Sequence, residues 1–364
     1  MVDRARVVLS GFAVRSAHGS GQDALLAGAF GGTPAFAPVT RFDTARRRTD
    51  TAATMPGAPR LADELVGAVV DACADASLGR EHRAGTPLLL AAHADHDNTA
   101  TALEVAARTG LPDPPRTYTA ACVAATSAVA DAAAMIAGGR VDRAVVAAGF
   151  LVDGDTFAVF DAGRALAADG HVRPFSAGRQ GMLLGDAVAA VVLESADSAR
   201  ARRVSAKAAL LGWGRTGDAY HVCKPRPDGE GLARAVHTAL RRADVPAAEV
   251  GYVNANGTGT PQSDSAEAAA LRQVFGADLD RIPVSSTKSV HGHALEASGL
   301  LELIVTVLAL RTGRLPVNAG FLAADEDCRL NLVLDGDRRL RRDRALTVNA
   351  AFGGANTALL VGAP

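Results

Sequence analysis

The segment TYTAACVAATSAVADAAAMIAGG (117–139) places a cysteine between an extended run and an alanine-rich run. Its second part, SAVADAAAMIAGG (127–139), predicts a helix that stops at the final glycine pair, because paired glycines commonly end helices. The apolar run RAVVAAGF (143–150) follows at once and predicts a buried strand. The segment therefore predicts a strand–helix–strand unit with Cys122 at the start of its helix.

Cys122 has two interpretations at this position. The start of a helix carries free N–H groups and about half a positive charge. A thiol placed there loses its proton more easily, so a lowered pKa and a role as nucleophile are predicted. The alternative is a small buried hydrophobic residue, which is the usual state of a free cysteine. Both stay open on this feature alone.

Strand-like and helix-like runs alternate along the rest of the chain, as in an α/β protein. The predicted strands are 6–14, 87–94, 143–150, 187–195 and 250–256, with a closing strand pair over 344–362. The predicted helices are 61–76, 127–139, 228–245, 265–276 and 297–313. Two halves of similar size meet near residue 200, and because no low-complexity linker separates them they are expected to share one interface.

Composition excludes several classes of protein. The chain has 364 residues, of which 48% are apolar, enough to bury a large core. Its net charge is −1 with scattered basic residues, so neither nucleic acid nor a membrane is an expected partner. No apolar run approaches the roughly 20 residues of a membrane span, and the N-terminal run indicates a strand rather than a signal peptide. The four cysteines form no CxxC pair, which favours a cytoplasmic protein with reduced thiols.

Two loops of the second half carry polar side chains of catalytic type. SSTKSVHGHALEASG (285–299) precedes a very apolar helix, and the backbone freedom of Gly292 allows His293 to point into a cleft. The alternative is a solvated loop in which the histidines are incidental. NAAFGGAN (349–356) ends a strand in a glycine pair, which allows backbone N–H groups to approach a ligand oxygen.

The cluster HADHD (93–97) contains side chains that bind metals. It lies at a predicted strand end and has no partner cluster elsewhere in the sequence. A solvated turn is therefore favoured over a metal site.

Taken together and in this order, the motifs resemble the β-ketoacyl synthases, the condensing enzymes of fatty-acid and polyketide assembly in the thiolase superfamily. RPFSAGRQGMLLGDAVAAVVLE (173–194) resembles the family's RPFD…RDGFV.GEGA..LVLE stretch, and AYHVCKPRPDGEG (219–231) resembles AYH…P.P.GEG. NANGTGTPQSDSAE (254–267) is similar to HGTGTP..D..E, STKSVHGH (286–293) to TKS..GH, and FGGAN (352–356) to FGG.N. The resemblance extends over essentially the whole chain.

The resemblance implies a thiolase-like α/β fold of two pseudo-repeated halves in five layers (αβαβα). Residues 1–200 form the half that carries Cys122, and residues 201–364 form the half that carries Asn256, Lys288, His293 and Phe352. It also implies a homodimer, or a heterodimer with another ketosynthase, in which a strand such as RAVVAAG (143–149) pairs across the interface. No bound cofactor or metal is implied, because acyl carrier protein or CoA brings the phosphopantetheine arm with the acyl thioester.

The resemblance assigns roles around the thiol. Cys122 is the nucleophile that takes the acyl group, and its N–H forms an oxyanion hole with the N–H of Phe352. Phe352 also gates the acyl pocket, with Gly353 beside it as a supporting residue. His293 forms hydrogen bonds near the thiol and the reacting thioester.

The resemblance also assigns roles to the loops around that histidine. Lys288 and Glu267 orient His293 and hold the loop, and Asp264 is a further supporting residue. The other catalytic histidine of the family is expected at position 256, where this chain has Asn256. A shortened stretch before the nucleophile is a further departure from the family.

Asn256 is expected to affect acyl transfer and decarboxylative condensation differently. Its amide donates a hydrogen bond but cannot take up or give back a proton near neutral pH, and general acid–base help is worth roughly 10²–10⁴ in rate. Acyl transfer onto Cys122 is therefore predicted to persist while decarboxylative condensation is weakened or lost. Three functions stay open: an acyltransferase, which is favoured, a condensing synthase, and a partner subunit resembling a chain-length factor. The missing histidine and the shortened N-terminal half favour the last, and the retained cysteine argues against it.

Overall fold

The structure is a computed structural model that describes residues 5–92, 98–112 and 115–364, so HADHD (93–97) lies outside the described residues. The strands are β1 (Val7–Ser16), β2 (Gly19–Ser20), β3 (Ala37–Pro38), β4 (Thr51–Ala52), β5 (Leu88–Ala92), β6 (Arg116–Tyr118), β7 (Arg143–Phe150), β8 (Ala187–Ser195), β9 (Ala208–Gly217), β10 (Tyr252–Asn254), β11 (Pro283–Ser285), β12 (Asn331–Leu332), β13 (Arg344–Ala350) and β14 (Ala355–Gly362). The helices are α1 (Gly21–Gly28), α2 (Leu61–Asp75), α3 (Arg80–Arg83), α4 (Asn98–Thr109), α5 (Ala124–Ala137), α6 (Gly154–Ala162), α7 (Ala196–Ala201), α8 (Glu230–Ala243), α9 (Pro261–Phe275), α10 (Lys288–His291) and α11 (Ser298–Thr312).

One arrangement of strands occurs twice. The first half has the order β6-β5-β7-β8-β1, and the second half has the order β11-β10-β13-β14-β9, with the short strand β12 added outside β11. The parallel and antiparallel pairings match position by position between these two sets. Antiparallel pairing of β1 with β9 joins them into one sheet. The prediction of two related α/β halves is confirmed, while a boundary at residue 200 stays a prediction.

The helices complete a five-layered stack. α2 and α4 pack on the outer face of the first set of strands, and α8 and α9 pack on the outer face of the second. α5 and α11 lie between the two sets and contact both. This position explains why α11 is apolar all round and buried from Ser298 to Ala309, since protein covers every face of it. No helix in the described ranges is long and apolar enough to cross a membrane.

The predicted elements agree with the structure best where the apolar pattern is continuous. The strands predicted over 143–150 and 187–195 have those bounds in the structure. The strand predicted over 250–256 ends earlier, at Asn254. The N–H of Ala255 still donates to the Ser285 carbonyl of the neighbouring strand, but the N–H groups of Asn256 and Gly257 donate to the buried Glu267 carboxylate instead of to the sheet. The helix predicted from 265 begins at Pro261, and proline is favoured in the first turn of a helix.

Strand pairing corrects the predicted dimer contact. β7 pairs with β5 on one side and with β8 on the other, so RAVVAAG (143–149) has no free edge to offer a second subunit. The outer strand of the first half is β6, which pairs only with β5 within the part of the chain that the structure describes. The free edge of the first half therefore lies just before Cys122.

Candidate active site

A cavity of about 430 Å³ brings together residues from both halves of the chain. Cys122 reaches it from the start of α5, and Asn256 from the loop after β10. His293 reaches it from the segment before α11, and Phe352 from the turn after β13. The four residues predicted to surround the reacting thioester therefore line one space.

Cys122 lies in a single helical turn, Ala121–Val123, directly before α5, as predicted. Ala121 has a φ of +46°, a strained conformation for a residue with a Cβ and one that is typical of functional turns. The predicted low pKa is wrong: burial, and after it the Glu296 carboxylate, raise the pKa of Cys122 to about 12. Lys288 opposes this shift without cancelling it. The resting form of Cys122 is therefore the thiol.

His293 is a buried neutral ring whose tautomer is set by its neighbours. The N–H of Leu295 donates to His293 Nδ1 at 3.2 Å, and the Ser298 hydroxyl lies 2.9 Å from the same atom. Because Nδ1 accepts, the hydrogen of the neutral ring is on Nε2. Burial lowers the pKa of His293 well below its usual value, and nearby Lys288 lowers it further. His293 thus offers the cavity a hydrogen-bond donor.

A glycine before His293 fixes the turn that presents it. Gly292 has a φ of +73°, and a Cβ there would lie 2.6 Å from the carbonyl oxygen of Leu184. The other histidine of the loop, His291, has Nδ1 2.8 Å from the Gly292 carbonyl and Nε2 2.9 Å from the Thr287 hydroxyl. Burial lowers the pKa of His291 to about 3. With both ring nitrogens hydrogen-bonded, His291 is held away from the residues that line the cavity.

Lys288 positions Asn256, which corrects the prediction that it orients His293. The Lys288 ammonium is fully buried, pairs with Glu302 on α11, and lies 3.4 Å from Asn256 Oδ1. An ammonium only donates, so the amide oxygen faces Lys288 and the NH₂ group is left for the cavity. Glu302 is held in turn by Asn349, whose Nδ2 donates to it at 2.6 Å.

Two buried carboxylates hold the loop that carries Asn256. Glu267 accepts the N–H of Asn256 at 2.7 Å and that of Gly257 at 2.8 Å. Asp264 accepts the N–H of Gly259 at 3.1 Å. Burial raises the pKa of Glu267 to about 8 and that of Asp264 to about 7. Glu267, predicted to orient His293 and hold its loop, thus holds the loop of Asn256 instead, and Asp264 contacts that same loop.

The turn after β13 forms one wall of the cavity. Phe352 is 50% exposed, and its ring stacks on Phe160 with 5.9 Å between centroids and 20° between planes. Gly353 has a φ of +82°, and its N–H donates to the carbonyl of Val222 at 2.8 Å. The N–H of Gly354 also donates within the chain. These two N–H groups are thus already satisfied, against the expectation that the glycine pair meets a ligand.

Several residues of the site were not singled out from the sequence. Glu302 was detectable, because it is the only charge in the apolar run SGLLELIVTVLAL (298–310). Ser298, Phe160 and Cys223 carried no such signal, since only the fold brings them to the site or its cavity. Within the described ranges, no group of three or more His, Cys, Asp or Glu side chains is placed to hold a metal ion.

A cysteine at the start of a central helix, facing polar loops from a second, related half, is the arrangement expected of a thiolase-like α/β protein. A solved structure described as "The ishigamide ketosynthase/chain length factor" superposes with a TM-score of 0.91 at 30% identity. The superposition covers 99% of this chain and 100% of that one. The predicted thiolase-like fold is thereby confirmed.

Comparison of the sequence gives the family. The family model described as "Beta-ketoacyl synthase, N-terminal domain" matches residues 75–199, and "Beta-ketoacyl synthase, C-terminal domain" matches residues 207–322. The chain belongs to the β-ketoacyl synthase family.

Two relatives show how far the similarity extends. The "Putative polyketide beta-ketoacyl synthase 1" of Streptomyces cyaneus is 36% identical over 290 residues, which are 78% of this chain and 68% of that protein. The "3-oxoacyl-[acyl-carrier-protein] synthase 2" of Coxiella burnetii is 38% identical over 189 residues, which are 52% of this chain. The chain spans about half the length of the Coxiella protein, 46%.

Proposed function

We propose that the chain is an acyltransferase of the β-ketoacyl synthase type, acting through an acyl group on Cys122. The acyl group arrives as a thioester of acyl carrier protein or CoA, which supplies the phosphopantetheine arm. The observation that carries the proposal is the shared cavity of Cys122, Asn256 and His293. It combines one thiol with two hydrogen-bond donors, and neither donor takes up a proton near neutral pH.

The transfer of the acyl group to Cys122 needs no basic side chain in the cavity. The sulfur of Cys122 attacks the thioester carbonyl carbon, a new C–S bond forms, and the C–S bond to the carrier breaks. The proton lost by Cys122 goes to the departing carrier thiolate, so the exchange needs no net acid or base. The N–H groups of Cys122 and Phe352 are the proposed donors to the oxyanion, a role worth about 10²–10³ in rate per donor. A thiol of raised pKa is compatible with this exchange, because the thiolate is needed only with substrate bound.

A second candidate, decarboxylative condensation at a reduced rate, is favoured by the orientation of Asn256. Loss of carbon dioxide from a malonyl thioester leaves an enolate, whose oxygen is stabilised by hydrogen-bond donors. Lys288 holds the Asn256 oxygen, so the Asn256 NH₂ is available as one donor. His293 Nε2 is available as the other. We therefore propose that condensation is slow because no side chain of the cavity supplies a proton, although both hydrogen-bond donors are retained.

The proposed partners are an acyl carrier protein and a second ketosynthase-family chain, either a copy of this one or a different subunit. The name of the Coxiella relative includes the carrier protein, and the name of the ishigamide protein joins a ketosynthase with a chain length factor. Of the two end strands of the described sheet, β12 and β6, the proposed edge for such pairing is that of β6, which lies just before Cys122. The cytoplasmic location stays a prediction.

The acyl-enzyme is tested by the intact mass of the protein after incubation with acyl-carrier thioesters. We expect wild type and Cys223→Ala to gain one acyl mass and Cys122→Ala to gain none. Cys223 is the matched control, because it is an exposed thiol that lines the same cavity. Label that persists in Cys122→Ala would contradict the assignment of the nucleophile. A wild type that is folded yet takes no label would instead support the partner-subunit function.

A further inference from the structure

A second cavity, of about 690 Å³, lies at the opposite edge of the second half. It is lined by residues at the starts of four neighbouring parallel strands, including Gly251 before β10, Pro283 in β11 and Asn331 in β12. Asn256 and the acyl cavity lie beyond the other end of β10. The two cavities are therefore separated by the length of the strands, and no described residue lines both.

Five arginines line this second cavity, and together they are called the arginine cluster: Arg281, Arg338, Arg339, Arg341 and Arg342. Among the nearby carboxylates, Glu249 contacts Arg342 of the cluster and also Arg344, Asp280 contacts Arg272, and Asp335 is close enough to act on the charge of Arg338. Asp278 is the only acidic residue among the described residues of the lining. The cavity is strongly cationic in a chain whose net charge is −1, so the cluster does not follow from overall composition.

Part of the arginine cluster is fixed in place. Arg338 donates to the carbonyl of Leu332 at 3.1 Å and to Asn331 Oδ1 at 2.7 Å, which holds its guanidinium at the cavity wall. Burial lowers the pKa of Arg338, the Asp335 carboxylate opposes this shift, and the like charge of Arg341 adds to it. Neither Arg339 nor Arg341 forms an ion pair with any described residue. Arg281 lines the same cavity and likewise forms no ion pair with a described residue. Guanidinium groups that share a cavity without carboxylate partners of their own are an arrangement that a bound anion stabilises.

We propose that the arginine cluster binds a small phosphate-bearing anion. The planar, five-donor guanidinium matches phosphate oxygens in a bidentate way, and several converging guanidinium groups favour more than one negative charge. The cavity volume of about 690 Å³ is in the range of small-molecule sites. Neither the acyl transfer nor its carrier thioester requires this cavity, so the site is separate from the proposed function.

The proposal is tested by titration calorimetry of the full chain with inorganic pyrophosphate and with inorganic phosphate, at constant ionic strength. We expect saturable binding to wild type, tighter for pyrophosphate. Arg339→Ala/Arg341→Ala should weaken it about tenfold or more, since charge-assisted hydrogen bonds are lost. Arg80→Ala/Arg140→Ala is the matched control, because it removes two exposed arginines elsewhere and should leave binding unchanged.

All variants substitute exposed side chains, and circular dichroism checks that each is folded. Absence of saturable binding to wild type at about 1 mM pyrophosphate would overturn the proposal. Equal weakening of pyrophosphate binding in the two double variants would also overturn it, because binding would then depend only on the total charge of the protein. Acyl labelling of Cys122 in the same variants is expected to be unchanged, which separates failure of this site from failure of the proposed acyl transfer.

Discussion

The orientation of the Asn256 amide, and with it the chemical role of Asn256, is set by Lys288. Lys288 lies 3.4 Å from the amide oxygen, so the amide is turned with its NH₂ group toward the cavity. A histidine at 256 could use its two nitrogens in the same way, with Nδ1 accepting from Lys288 and Nε2–H facing the cavity. The difference between the two side chains is then the capacity to exchange a proton.

At the same scale, His293 and His291 are expected to differ in their effect on acyl transfer. His293→Ala removes a donor that lines the cavity, so the rate of Cys122 acylation should fall by roughly 10²–10³. His291→Ala should cost mainly stability, because His291 is hydrogen-bonded on both nitrogens away from the cavity. Single-turnover acylation, with the folded fraction measured for each variant, checks this. Equal loss of rate per folded protein in the two variants would contradict it.

At the scale of the element, the loop after β10 is expected to make stability depend on pH. The folded-state pKa of Glu267 is raised to about 8 and that of Asp264 to about 7, both by burial. A carboxyl whose folded pKa is raised contributes stability that is complete below about pH 4 and is lost as pH rises through the folded pKa. Below about pH 6.5 the buried neutral rings of His291 and His293, whose pKa values are lowered, oppose this effect. The free energy of unfolding should therefore fall between about pH 6.5 and pH 8, by at most about 1.4 kcal/mol per pH unit for each carboxyl.

Urea denaturation at several pH values measures this slope. Glu267→Gln removes one of the two titrating groups, so its slope over the same window should be smaller than that of wild type. The pH slopes are compared rather than the absolute stabilities, because Glu267→Gln also disturbs the hydrogen bonds that Glu267 accepts from the N–H groups of Asn256 and Gly257. Stability that rises with pH across this window would show that those N–H groups keep Glu267 ionised in the folded protein.

The sequence predicted correctly those features that depend on residues close together in the chain. Alanine and apolar periodicity located α5 and α11, and the predicted need for backbone freedom at Gly292 agrees with its positive φ. The pKa of Cys122 was wrong, because the helix start is visible in the sequence while the burial that outweighs it is a property of the whole fold. The partner of Lys288 was missed for the same reason, since Glu302 comes from a different element.

At the scale of the whole molecule, the two halves are joined through the sheet and through the central helix layer. β1 pairs with β9, and α5 and α11 each contact strands of both halves. The Thr126 hydroxyl on α5 hydrogen-bonds the Thr357 hydroxyl on β14 at 2.7 Å, inside this interface. Neither half buries the face of its central helix without the other, which is why the repeated strand order does not make two independent domains.

The halves are accordingly expected to unfold together. Trp213, the only tryptophan in the chain, lies on β9 and reports on the second half. Cys73 is fully buried on α2 and reports on the first half through thiol labelling, identified at the peptide level. Tryptophan fluorescence and Cys73 labelling should give coincident urea midpoints. Midpoints that clearly differ would mean that one half is stable without the other.

The central claim is that Asn256 retains hydrogen-bond donation but lacks proton exchange, so that acyl transfer and decarboxylation are uncoupled. The most direct test is carbon dioxide release from a malonyl-carrier thioester by wild type and Asn256→His at matched acylation of Cys122. The account predicts slow release by wild type and a gain in Asn256→His of at least about tenfold, toward the roughly 10²–10⁴ of general acid–base catalysis, with acylation unchanged. Fast release by wild type, with no gain in Asn256→His, would contradict it.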